Sequence, residues 1–427
     1  MQLKDVKVLI DERKYSEAIP VLHKFESQFH DDKIVMSIVN IDLAECYKKI
    51  VNLYEAERYY LKVLETDDQI QNVAKSYSAL ASIYCELARD DESKNMLLKL
   101  RDLLPSISDE LDFKLSMIDL IRGDFKKGFE GYEGRFSHEP LKTLFDQQNF
   151  QRLTDINDIK GKSILLKQEQ GFGDIIQFAR YAETFKKLGA SKVGLLGKQP
   201  VKRLMENVVG LDEVIFDVNE TTKYDYEIMM MSCPYVLGTE HENQIPNDNY
   251  IKVKPKDSKV WKEKLKNFKK FRVGIVWSGS DRKGLPDMER IDSRRSIPLE
   301  LFRPLLDADC DFFSLQKGGR QDDLKTFYGV KKINDFMDDV NDFYDTACLI
   351  DNLDLVISVD TSTAHVAGAM GKPVWIFSRL DGCWRWLEHR SDTPWYPSMK
   401  IYRQKEFKEW RPVMLDVLKD LKSLLDK

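Results

Sequence analysis

Two short segments hold the side chains best suited to chemistry. The first is Gln168-Glu169-Gln170-Gly171-Phe172-Gly173-Asp174, where Gly171 and Gly173 permit a tight turn and Asp174 stands at or near a helix N-terminus. A carboxylate there has two readings. It can cap the helix, which Asp does well, or it can take a proton from a reacting hydroxyl; spacing leaves both open. The second segment is Ser358-Val359-Asp360-Thr361-Ser362-Thr363-Ala364-His365-Val366-Ala367-Gly368, an apolar run ending at Asp360 and passing into a helix of small residues. The unpaired N–H groups of such a helix start, with the positive end of its dipole, make an anion site. Hydroxyls from Thr361, Ser362 and Thr363 add donors suited to a phosphate. Taken singly, Asp360 and Thr361 also suit caps, and His365 suits a hydrogen-bonded core histidine.

Strands and helices in alternation are needed to bring these segments together. KSILLKQ (162–168), VGLL (193–196), EVIF (213–216) and YEIMMM (226–231) are short apolar runs separated by amphipathic stretches. The alternation restarts with RVGIVW (272–277), CDFFSL (310–315), DLVISV (354–359) and PVWIF (373–377). That pattern predicts parallel sheets covered on both faces. In such sheets ligands bind beyond the carboxyl ends of strands, where both segments lie. Between the two sets, Lys254 to Arg272 carries nine basic residues, broken by Asp257 and Glu263. We read it as a solvated connector helix rather than a nucleic-acid site. Phe407 to Leu425 reads as one amphipathic helix.

The first third is different. Leu43, Ala44, Tyr47, Ala56, Tyr60 and Val63 are echoed by Leu80, Ala81, Tyr84, Ser93, Leu97 and Leu100, with Pro105 closing the second set. A small residue recurs at Ala18, Ala56, Ser93 and Gly128, at intervals of 38, 37 and 35 residues. This resembles the tetratricopeptide pattern of stacked antiparallel helix pairs. The predicted organisation is therefore helical repeats over 1–135, one Rossmann-like half over 136–255, a second over 256–405 and a terminal helix over 406–427.

Composition sets outer limits. The 427 residues allow about two to three domains. With 42% hydrophobic and 32% charged residues, and 21 Gly and 14 Pro, the chain is neither disordered nor fibrous. Its 66 basic against 71 acidic side chains give no general attraction to nucleic acid or an anionic membrane. The opening residues MQLKDVKVLIDERKYSEA lack a secretory pattern, and no apolar run predicts membrane insertion. Six scattered cysteines without a C-x-x-C pair fit reduced thiols. The expected location is the cytoplasm.

VDTSTAHVAGAMGKPVWIF is similar to the donor-site signature of the heptosyltransferase family, and GFGDIIQF resembles that family's first-strand turn. With GDFKKGFEGYEGRF, KQEQGFGDIIQFARY, VWSGS, RRSIPLE, FSLQKG and DTPWYPSMKIYRQ, the region from about 120 to 405 resembles bacterial proteins that join tetratricopeptide repeats to a heptosyltransferase-like GT-B domain, flagellin glycosyltransferases among them. The resemblance implies a GT-B fold, two Rossmann-like domains facing a cleft. It implies glycosyl transfer from a nucleotide sugar, with Asp174 as base. The donor phosphate would be held by Asp360, Thr361, Ser362, Thr363 and His365, aided by Ser278, Gly279, Arg294, Arg295, Gln316 and Lys317, the two arginines being carried by a loop able to close over the donor. A protein acceptor, flagellin-like, would be recruited by the repeats.

No metal or other cofactor is expected. Asp335, Asp338 and Asp339 in INDFMDD lie in an apparent loop, with no strand to position them as a metal pair. A helix dipole and Lys/Arg charges can hold the leaving phosphate instead, so the expected reaction is inverting. Trp384, Arg385 and Trp386 read as packed surface or as a platform for a base or sugar. Two other readings remain: a nucleotide-sugar epimerase or similar GT-B enzyme needing no protein acceptor, and a non-catalytic repeat scaffold.

Overall fold

A computed structural model describes residues 3–280, 286–327 and 333–426. It divides into two compact units, 1–118 and 119–427.

In the first unit, helices Leu3–Asp11, Tyr15–Gln28, Lys33–Lys49, Leu53–Thr66, Ile70–Glu86 and Asp90–Leu103 each pack on the next in sequence. The expected small residues are buried: Ala18 and Ala56 completely, and Ser93 nearly so. The Ser93 hydroxyl also donates to the Ala81 carbonyl at 2.9 Å, tying two helices together. The backbone repeats as well. Arg13, Val51, Ala88 and Gly123 all adopt positive φ (61°, 64°, 53° and 81°), each five positions ahead of the small residue of its helix pair. A left-handed residue costs a β-branched or bulky side chain free energy, and only the fourth turn uses glycine. Its recurrence at one point in every unit shows that the turn, as well as the packing, is repeated.

The fourth pair corrects the expected boundary at 135. The division falls at Ile118–Asp119, so Gly123 and the helix Phe125–Tyr132 belong to the second unit. Phe129 and Tyr132 meet the Trp384 ring edge-on at 6.0 and 5.9 Å. Arg135, completely buried, donates to Glu169 from both Nε (2.7 Å) and Nη2 (3.2 Å). Three aromatics of GDFKKGFEGYEGRF, Phe125, Phe129 and Tyr132, are thus buried in the α/β unit.

That unit contains two all-parallel sheets. The first comprises β1 (Gln151–Arg152), β2 (Ser163–Lys167), β3 (Lys192–Leu196), β4 (Glu213–Ile215) and β5 (Tyr226–Met229), in the order β1-β5-β2-β3-β4. The second comprises β6 (Phe271–Val276), β7 (Cys310–Ser314), β8 (Ile333–Asp335), β9 (Leu355–Val359), β10 (Val374–Ser378) and β11 (Met399–Arg403), in the order β11-β10-β9-β6-β7-β8. This is the doubly wound order, in which the chain runs outward from β6 in one direction and from β9 in the other. The apolar runs become strands because β-branched and aromatic residues buried on both faces suit a covered parallel sheet.

Three expectations need correction. Asp335 ends an edge strand rather than lying in a loop. The basic connector is a helix only over Pro255–Lys264, and it buries Trp261. The last helix is Arg411–Leu425: Pro412 lacks an N–H and fits only a first turn, so the helix starts there. It buries Val413, Met414, Val417 and Leu421 in the core under β6 and β9, so residues 406–427 complete the second sheet's domain.

Candidate functional site

Each sheet reverses its strand order at one point, and the two sequence segments stand at those points. In the first sheet the reversal lies between β2 and β5, and Gln168 to Asp174 follow β2. In the second it lies between β6 and β9; Ser278 and Gly279 follow the first strand, Asp360 and Thr361 the second. Crevices open at such reversals because neighbouring crossovers depart to opposite faces.

Asp174 is the third residue of the helix Phe172–Phe178. Its Oδ2 accepts from the Gly171 N–H at 2.9 Å, so part of its work is capping. Its Oδ1 accepts from Arg385 Nη2 at 2.5 Å, across the crevice. A β-carbon at Gly173 would lie 2.9 Å from His365 Cδ2 and 3.7 Å from Ser362 Cα. The start of this helix and the start of Ser362–Ala369 are therefore in direct apposition, and glycine is what allows it.

The helix Ser362–Ala369 begins after Thr361, whose backbone is extended (φ −140°, ψ 166°) and whose side chain makes no capping bond. The Thr361 hydroxyl meets Ser358 Oγ at 3.1 Å instead. A simple cap is thus not its role, and the helix start keeps its anion-binding character. His365 is 5% exposed. Its Nδ1 shares a hydrogen bond with Tyr396 Oη at 2.9 Å, and its ring stacks on Trp386 at 5.5 Å. Burial, reinforced by the charges of Arg385 and Arg180 against Asp360 and Asp174, pushes the imidazole down to about 4. It meets any ligand as a neutral group.

Neutrality has a consequence for stability. The unfolded chain takes up a proton at this histidine near pH 6.5, and the folded chain resists it down to about pH 4. Between those values the unfolded state binds more protons, so stability present above pH 6.5 is lost as pH falls through the window. We expect the unfolding free energy to decline on acidification from pH 6.5 to 4, and His365→Gln to flatten that slope. Equal slopes in urea titrations of the two proteins would refute the assignment.

The cationic groups are arranged differently from expectation. Arg294 and Arg295 end the helix Pro286–Arg295 rather than riding a loop. Arg294 Nη2 pairs with the buried Asp381 at 2.9 Å, and Arg379 Nε reaches the same carboxylate at 2.9 Å. Arg295 is also paired, with Asp292 one turn earlier on the same helix, but it sits at the strand ends. Its Nη1 donates to the Asp360 carbonyl at 3.1 Å, and its guanidinium lies so close against Gly279 that a β-carbon there would overlap it. It spans the ends of β6 and β9.

Ser278 and Gly279 are braced by Ser296, whose Oγ lies 3.0 Å from Ser278 Oγ and 3.2 Å from the Gly279 nitrogen. Gln316 Oε1 accepts from the Trp277 and Ser278 nitrogens at 3.3 and 3.0 Å, which makes it a strut beneath the site. Lys317 directs its ammonium to the Met337 and Val340 carbonyls at 2.6 and 3.0 Å. Two of its three donors are thereby committed.

The sequence suggested Arg385 only as packed surface or as part of a platform for a base or sugar, yet it touches Asp174. The signal for it was a cation flanked by two tryptophans: Trp384 and Trp386 are both buried, and an arginine held between them has to find partners inside.

Two doubly wound parallel halves, each opening its strand reversal to the other around Asp174 and the 362 helix start, define the class of this chain. It is 25% identical over 335 residues to protein FlbA of Caulobacter vibrioides, covering 71% of this chain and 53% of FlbA. The chain thus spans about half the length of that curated relative. Among solved structures it is similar to a glycosyl transferase family 9 protein of Veillonella parvula (TM-score 0.46, 13% identity, 63% of this chain and 98% of that one). It is also similar to E. coli ADP-heptose LPS heptosyltransferase II (TM-score 0.45, 12% identity, 62% and 98%). No protein-family model matches it.

Proposed function

We propose that the chain is an inverting glycosyltransferase that moves a sugar from a nucleotide-sugar donor to an acceptor hydroxyl. The observation that carries this is the apposition of Asp174, on one half, to an uncapped helix start and Arg295 on the other. Transfer needs a base for the acceptor proton and a group that stabilises the departing phosphate. In the proposed step the acceptor oxygen bonds to the anomeric carbon as the bond from that carbon to the phosphate oxygen breaks. The acceptor proton passes to Asp174, and the nucleoside phosphate leaves on the 362–365 helix start. Thr361, Ser362 and Thr363 supply donors and the helix start supplies its positive dipole end, with Arg295 adding a guanidinium that it shares with Asp292, so the proposed reaction needs no added metal.

For the acceptor we propose a polypeptide held by the helical repeats, which are tetratricopeptide-like in their spacing and repeated turn. Tethering raises local concentration toward the mM range. The six cysteines are free thiols, in keeping with a reducing compartment such as the cytoplasm.

The full chain should be screened by thermal shift against nucleoside diphosphates and their sugars. A ligand at about 100 times its Kd stabilises a protein by about 2.7 kcal/mol, so the correct nucleotide should stand out, and transfer or donor hydrolysis should persist in EDTA. Removing residues 1–118 should keep the nucleotide shift and abolish modification of a protein acceptor. No shift with any nucleotide would sink the donor assignment, and activity lost in chelator but restored by magnesium would sink metal independence. Undiminished modification by the truncated chain would remove the acceptor role from the repeats.

A further inference from the structure

The geometry points to Arg385 as the positioning residue for Asp174, a reading that rests on the proposed transfer reaction. Arg385 lies in the short turn Trp384–Trp386 of the carboxy-terminal half and is 7% exposed. Every nitrogen of its guanidinium has an assignment. Nε donates to Gln177 Oε1 at 2.5 Å, Nη1 to Cys383 Sγ at 3.1 Å and Nη2 to Asp174 Oδ1 at 2.5 Å. The guanidinium lies 4.4 Å from the Trp384 ring centre. Burial opposes its charge, but Cys383 and Asp174 hold its pKa above the ordinary arginine value.

Two features separate this from a packing contact. Asp174 and Gln177 are three residues apart on one helix, hence on one face, and a single guanidinium bridges them. Gln177 accepts this bond although its own Nε2 is buried without a partner, an arrangement that costs free energy. With Gly171 N–H on Oδ2 and Arg385 on Oδ1, one bond at each oxygen fixes the carboxylate plane. A lone pair stays on each oxygen for an incoming hydroxyl. Since Arg385 belongs to the donor-side half, the base is oriented only where the two halves meet.

Misplacing a catalytic group by about 1 Å can cost 10²-fold. Arg385→Ala in the full chain should lower kcat by about that factor with the donor KM changed less than about threefold, and added guanidinium should restore part of the rate. Arg385→Lys, which reaches fewer acceptors, should fall between, and it carries the test if the alanine variant does not fold.

A donor KM that rises in step with the loss and no guanidinium rescue would make Arg385 a donor ligand or a packing residue and overturn the proposal. A readout without turnover separates this from the function itself. Melting temperatures of Arg385→Gln, Asp174→Asn and the double variant should be non-additive. Additive shifts would refute the pairing whether or not the protein transfers sugar, whereas strong coupling in a protein that transfers none would refute the reaction alone.

Discussion

Asp174→Asn is expected to lower sugar transfer by roughly 10²–10⁴, the range a general base contributes, while nucleotide affinity stays within about threefold. The asparagine keeps an acceptor for the Gly171 N–H, so the helix start is preserved. It loses the charge facing Arg385 and, in the proposed reaction, the basic oxygen that would take the acceptor proton. In the proposed reaction the donor phosphate, on the opposite half, would keep the 362–365 helix start and Arg295. Asp174→Ala is the less informative change. It removes the cap as well and leaves Arg385 a largely buried cation without its carboxylate, which costs several kcal/mol. Steady-state kinetics with a thermal-shift measurement of nucleotide binding decide the matter. If Asp174→Asn transfers sugar at the full rate while Asp174→Ala unfolds, the residue is a cap and the catalytic assignment is wrong.

Much of this site was legible because strand ends are legible. Runs such as SILLK and LVISV declare themselves as buried parallel strands, and the residues just after such a strand must lie at a sheet's carboxyl edge; hence Asp174, Ser278, Gly279, Asp360 and Thr361 were found by position. Of the missed edge strands, β1 and β8 have only two or three residues and carry no periodicity, while β11 follows a Pro- and Ser-containing turn and carries Lys400 and Arg403 among its apolar residues. The cationic set was misjudged for another reason. Arg294, Arg295, Lys317 and the neutral Gln316 come after the right strands, but a polar group near a site is open to a ligand only to the extent that nothing nearer claims it. Asp381 claims Arg294, Asp292 pairs with Arg295, the Met337 and Val340 carbonyls hold Lys317, and the Trp277 and Ser278 N–H groups engage Gln316. Arg385 is the converse case. Its partners are 211 and 208 residues away in sequence, and no local pattern reports such a pairing.

The repeat shows where sequence intervals outperform composition. Intervals of 38, 37 and 35 residues between small side chains recur in the positive-φ turns at residues 13, 51, 88 and 123. The packing residue and the turn are therefore one device, a sharp left-handed turn that delivers the small side chain to the preceding helix. What the intervals did not reveal is where repetition gives way to the α/β unit. The fourth copy keeps the turn but supplies Phe125, Phe129 and Tyr132, whose large apolar surfaces are buried there. Burial of aromatics, rather than register, set the boundary.

Gly173→Ala should abolish most activity while leaving the protein folded, with kcat reduced about 10²-fold and a small change in melting temperature. The backbone at 173 is helical, where alanine is preferred over glycine by about 1 kcal/mol, so no local strain is introduced. The obstacle is across the crevice: the new methyl would lie 2.9 Å from His365 Cδ2 and 3.3 Å from Nε2. That ring cannot swing aside, since Trp386 covers its face and Tyr396 holds Nδ1. Relief must come from separating the two helix starts, which carries Asp174 away from the phosphate site and loosens its bond to Arg385. Gly171→Ala is the control. Its backbone (φ −76°, ψ 172°) suits any residue, and its β-carbon would meet only Asp174 Oδ2 at an ordinary 3.4 Å. It should cost no more than the weak N-cap preference of alanine, about 1 kcal/mol of stability, with near-normal turnover. Equal activity in the two variants would mean that the halves do not meet at Gly173 during turnover, and the base would then have to be sought outside the 168–174 turn.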